Sequence, residues 1–198
     1  MKSKILTTLL SCAALAVLSA SASAAAVMTY TQTATLSGSL GGTSFTNAAV
    51  TLRMSADTAN IQPLPYGSFP AWSNAGVTTI DIDGFDTATF NGSSDYGVYA
   101  IDVSYYYSFG VVGFARLNSF SQIWATNQYI EPSYSLATEN TFTGAFNYGA
   151  PSSTTLGELV FNGASGSSTF TAAAVPEPSA CALLGLGAVG LVARRRRA

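Results

Sequence analysis

The sequence predicts an all-β protein: an antiparallel β-sandwich or jelly-roll-like domain over residues 25–174, with a helical segment at either end. Two observations carry that expectation. Apolar side chains recur at every second position in several stretches, and clusters of Gly, Asn, Ser and Pro separate those stretches at short intervals. Between residues 50 and 57, Val50, Leu52, Met54 and Ala56 alternate with Thr51, Arg53, Ser55 and Asp57, which places one set on each face of a strand. A helix would scatter them. The alternation returns from Tyr99 through Ile101, Val103, Tyr105, Tyr107 and Phe109 to Val111, and predicts one long central strand, bent near Gly110 or Gly113. Further strands are expected at 30–40, 78–83, 88–90, 114–123, 134–146, 156–161 and 168–174. Gly41-Gly42, Asn91-Gly92 and Asn162-Gly163 read as turns between them.

Residues 60–76 depart from this pattern. Pro63, Pro65 and Pro70 keep the segment out of a central strand, so it is expected to be a long connection pinned by Tyr66, Phe69 and Trp72. Its rings either cap the core or offer a ligand surface.

Composition narrows the chemistry. The central region of about 150 residues suffices for one domain with a real core. Every tyrosine, phenylalanine and tryptophan of the chain lies in it, whereas Cys12 and Cys181 both fall in the end segments. No disulfide can staple the domain, and aromatic burial must hold it together. Arg53 and Arg116 face nine carboxylates there, a formal charge of −7. With no basic patch to neutralise phosphates, nucleic acid is excluded as a partner. The abundance of Ser, Thr, Asn and Gly suits an uncharged, hydrogen-bonding surface instead.

The chain has no histidine. That removes the commonest general base and the commonest transition-metal ligand, and with them Ser-His-Asp triads and zinc sites. Carboxylate-pair chemistry of the glycosidase kind remains, but no pair is singled out, and the chain is expected to be non-catalytic and without a resident cofactor.

Two clusters have binding chemistry. Asp81, Asp83 and Asp86 surround Gly84 and could supply oxygen ligands to calcium. The competing reading is a strand in which Ile80 and Ile82 face the core while the acids face water before a turn at Gly84. Trp72 and Tyr106 could present flat rings to a sugar, or simply pack.

The two ends have their own physics. Residues 1–24 read as a secretory signal peptide, with Lys2 and Lys4, an apolar run over 5–18, and the small-residue site Ala22-Ser23-Ala24, so the mature chain should begin near Ala25 after passage through the translocon. At the other end, over 175–198, Val175, Pro176, Glu177 and Pro178 form an extended handle stiffened by its prolines. An uncharged run, 179–193, follows, reaching about 22 Å as a helix at roughly 1.5 Å per residue. That is short of a roughly 30 Å hydrocarbon slab. Arg194, Arg195, Arg196 and Arg197 can snorkel to the headgroups and hold this end in the cytoplasm.

This order of tripeptide, apolar run and arginine cluster resembles the PEP-CTERM sorting signal of Gram-negative bacteria, matched by Pro176-Glu177-Pro178, 179–193 and 194–197. The resemblance implies processing by an exosortase, a membrane protease, after transient anchoring in the inner membrane. It also implies a final place at the cell surface or in an extracellular matrix, with exopolysaccharide and biofilm as the setting. The expected function is that of a surface or matrix protein. The alternative is a carbohydrate-binding sandwich module, with or without calcium.

Overall fold

The first strand shows how the alternation becomes structure. In β1 (Val27–Leu40) the side chains of Met28, Tyr30, Gln32, Leu36 and Leu40 are buried, while Thr29, Thr31 and Thr33 reach the surface. The computed structural model describes residues 26–64, 69–92, 95–102, 110–117, 121–128, 134, 136–149 and 151–175. Gly41 and Gly42, at φ of +57° and +84°, make the two-residue turn into β2 (Thr43–Asp57). Both angles are left-handed, as a type I′ hairpin requires. The strands that follow are β3 (Gln62–Pro63), β4 (Ala71–Ala75), β5 (Thr78–Ile82), β6 (Ala88–Thr89), β7 (Tyr96–Asp102), β8 (Gly110–Arg116), β9 (Ser121–Gln128), β10 (Asn140–Tyr148), β11 (Ser152–Thr154) and β12 (Gly157–Ala174).

Every pairing is antiparallel. One hydrogen-bonded path runs β3-β4-β7-β8-β9-β10-β12-β1-β2-β5-β6, and β10 joins its two halves, pairing with β12 over its first residues and with β9 over its last. A second link closes part of the path on itself. Phe90, just past β6, bridges to Thr154 of β11, and β11 pairs with the start of β12. The Asn91 and Thr155 amides donate to the Ser153 and Thr89 carbonyls at 3.0 and 2.8 Å. The strands β12, β1, β2, β5, β6 and β11 thus form a closed circuit, which leaves β6 no bare edge at that point.

Side chains from the two halves meet in one aromatic core. Phe170 of β12 lies 6.3 Å from Tyr30, 6.2 Å from Phe114 of β8 and 6.5 Å from Phe142 of β10, ring centre to ring centre. Phe90 and Tyr96 stack at 5.0 Å, and Tyr134 meets Phe142 edge-on at 4.9 Å. A smaller cluster, Ala71, Tyr99, Ile101 and Ala115, covers the other face of β7 together with Leu64 and Phe69. β7 is therefore buried on both sides. Several polar groups inside are paired: the Tyr30 hydroxyl donates to the Leu136 carbonyl at 2.9 Å, Gln32 Nε2 to Ser168 Oγ at 2.9 Å, and Asn74 Nδ2 to both Tyr30 Oη and the Asp57 carbonyl.

The all-β, antiparallel class is as expected, but several elements differ. The single long strand over 99–111 is two strands. Tyr99 pairs with Gly113, Ile101 with Val111 and Asp102 with Gly110, so the chain reverses between them. Partners in this hairpin differ by an even number of residues, so one parity faces the same side on both arms, and the alternation reads straight through the turn. The strand expected at 114–123 is divided between β8 and β9, and that expected at 134–146 begins only at Asn140. Conversely, 156–161 and 168–174 belong to one strand, β12. Asn162-Gly163 is not a turn: Ser37 pairs with Gly163 and Gly38 with Phe161, which leaves Asn162 as the extra residue of a bulge. A second irregularity lies near Gly166, at φ +79°. The helical segments expected at 1–24 and 179–193 lie outside the described residues.

Phe170→Ala removes the ring shared by β1, β8 and β10, and should cost about 3–5 kcal/mol, read as a lower denaturation midpoint in urea. Burial pushes the phenols of Tyr30 and Tyr134 upward, opposed at Tyr30 by the Asn74 hydrogen bond and reinforced at Tyr134 by Tyr30. Unfolded tyrosines ionise near pH 10, so the stability these groups contribute is complete below about pH 10 and falls as pH rises beyond it. Unfolding midpoints between pH 8 and pH 11.5 should show that fall, and Tyr30→Phe should flatten it.

Candidate functional site

The last residues of β12 are held from two sides, by β1 and by the side chain just before β10. Met28 pairs with Ala174, and the Val175 amide donates to the Val27 carbonyl at 2.8 Å. From the other side, the Glu139 carboxylate accepts the Ala174 amide at 2.9 Å through Oε1. Pro176 has no amide to donate, so a ladder of this kind cannot continue through it. The Ala26 carbonyl accepts the Thr58 amide at 3.0 Å, which ties the start of β1 to the end of β2. The chain therefore enters and leaves the domain side by side, at the same end of β1. The Gly41-Gly42 turn lies at the far end, on the order of 40 Å away for a strand of this length at about 3.3 Å per residue.

This geometry puts the root of the tripeptide segment at a fixed, surface-accessible point. Val175 is 40% exposed and directly follows a strand whose inward residues, Phe170 and Ala172, are buried. Val175, the residue before the tripeptide, is itself hydrogen-bonded to β1. Pro176, Glu177, Pro178, the run 179–193 and Arg194, Arg195, Arg196 and Arg197 lie outside the described residues. Glu139 was not legible as a partner of this exit, because no local pattern links it to a strand end 35 residues later.

The acidic cluster is arranged as the strand reading expects. Ile80 and Ile82 are buried, Asp81 is half-buried on β5, and the chain turns at Asp83 and Gly84, with φ of +86° at the glycine. Both Asp81 oxygens are engaged, Oδ2 by the Arg53 guanidinium and Oδ1 by the Thr87 hydroxyl. Asp83 and Asp86 are exposed, and no group of three or more acidic, histidine or cysteine side chains suited to a metal comes together among the described residues. Trp72 is half-buried on β4 and packs against the main core, while Tyr106 lies outside the described residues.

The family model for the PEP-CTERM protein-sorting motif matches residues 174–197. It begins on the final residue of β12, where Glu139 and Val27 hold the strand. No curated protein matches the chain, and no solved structure does. The chain thus carries a PEP-CTERM signal, which implies export and membrane-associated processing by an exosortase.

Glu139→Ala should free the Ala174 amide while leaving the aromatic core intact. Hydrogen exchange should quicken at Ala174 and Val175 but not at Phe170, with global stability changed by no more than about 1–2 kcal/mol.

Proposed function

Starting from an exported chain that carries a PEP-CTERM signal, we propose that it is a non-catalytic surface or extracellular-matrix protein of a Gram-negative bacterium. Its β-sandwich ectodomain is hung briefly from the inner membrane by the run 179–193, then released by an exosortase into an exopolysaccharide or biofilm setting. The observation that carries this reading is the position of the motif at residues 174–197, directly on the end of the last strand. Cleavage beyond Val175 would leave every strand of the described residues in place, so the domain can be released folded. The lack of histidine in the whole chain and of cysteine in the domain supports a role without catalysis or cofactor.

A second reading, a carbohydrate-binding module, is favoured by the hydroxyl-rich outer surface of β1, β2 and β12. Calcium at Asp81, Asp83 and Asp86 would require Asp81 to leave Arg53 and Thr87, so the module reading is stronger without it.

The test is the intact mass of native protein recovered from outside the producing cells. The expected species begins near Ala25 and ends within or just before Pro176-Glu177-Pro178. Replacing both prolines with alanine should leave an uncut, membrane-bound chain. External material that still carries Arg194 to Arg197 overturns the reading.

A further inference from the structure

The outward side chains of β10, β12, β1, β2 and β5 fall into rows. In one, Thr143 pairs with Thr169, Thr169 with Thr33, Thr33 with Thr51, and Thr51 with Asp81. In the next, two residues along each strand, Thr141, Thr171, Thr31, Arg53 and Thr79 stand in the same order. These side chains are half-exposed or exposed. Neighbouring hydroxyls within the rows are close, with Thr143 and Thr169 3.1 Å apart.

Three strands of this face, β10, β12 and β1, carry only hydroxyls and methyls in these rows, and the charges on the other two, Arg53 and Asp81, pair with each other. Beside it lies an open groove of about 310 Å³, lined by Thr29, Arg53, Met54, Ser55, Val77 and Thr79. Val77, 56% exposed, gives the groove an apolar wall. Arg53 uses Nη1 on Asp81, and its guanidinium has further N–H donors.

We infer that this threonine face and its groove bind a neutral, extended polysaccharide laid across the strands. This deepens the exopolysaccharide reading above and rests on it. Each hydroxyl can donate or accept, which matches the mixed donor and acceptor character of sugar hydroxyls. Positions within a row repeat at the strand spacing of about 4.8 Å, so five strands give a track of roughly 20 Å, a repeat on the scale of one extended sugar unit. Charge selects within the class: a domain of formal charge −7 disfavours acidic glycans, and the two charges in the rows, Arg53 and Asp81, cancel each other.

The test uses the protein recovered from the cell exterior, with beads carrying the neutral polysaccharide of the producing cells, and alginate beads as the acidic counterpart. Wild type should be retained on the neutral beads. Thr33→Glu, and separately Thr31→Val with Thr171→Val, should lower retention at least tenfold without moving the melting temperature. Thr46→Glu, on an exposed position of β2 about 15 Å further along the strand, should bind as wild type does. Full retention of the Thr33→Glu protein overturns the assignment to this face and leaves the matrix role standing. No retention of wild type overturns both, and stronger retention on alginate overturns the neutral class. Ice-crystal shaping by wild type that Thr33→Glu abolishes would assign the array to an ordered water lattice and likewise overturn the glycan.

Discussion

The pairing of β1 with β12 is the contact on which the other strands depend. It joins the first described strand to the last along nearly the whole length of β1, from Met28 with Ala174 to Leu40 with Leu159. β1 is flanked on its other edge by β2, so a strand of only local sequence neighbours on one side is completed by the most distant partner on the other. Closing so long a loop is entropically costly, and chains dominated by such pairings fold slowly. The inward residues of β1 cannot be covered before β12 arrives, because Tyr30 meets Phe170 and Gln32 donates to Ser168. Completion of the domain therefore waits for the strand that leads straight into the sorting signal.

That dependence explains why the exit is built as it is. Here the signal emerges from a strand end held by Val27 and Glu139, and the same pairing that completes the core sets the place where the tail leaves. The strand edges are also managed. The circuit through Phe90 and Thr154 covers β6, and β3, the strand at the other end of the path, is two residues long and contains Pro63. Short edge strands and proline discourage sheet-to-sheet association, a useful property in an exported domain.

Buried polar groups add specificity to an otherwise apolar interior. Asn74 Nδ2 reaches both Tyr30 Oη and the Asp57 carbonyl, and so connects β4, β1 and the end of β2 from one side chain. A shift of β4 by one residue would put Asn74 on the opposite face and strand both acceptors, so the register is strongly specified there. By contrast, the surface ion pair of Arg53 and Asp81 is partly solvated and contributes little to stability.

Local sequence determined the class, the strand periodicity and the sorting signal at the C-terminal end. Alternation in 50–57, the Gly41-Gly42 turn and the tail sequence of tripeptide, apolar run and arginines are all short-range patterns, and each is legible within about two dozen residues. Where one element stopped and the next began was less legible. The hairpin of β7 and β8 hid inside an unbroken alternation, and Asn162-Gly163 looks the same in sequence whether it reverses a strand or bulges it. Tertiary structure alone decided that β1 and β12 are neighbours, that Glu139 holds the exit and that threonines from separate segments align into rows. The reason is physical: turn and strand preferences act through adjacent residues, whereas register between distant strands is set by which side chains can share one core, and that is a property of the assembled chain.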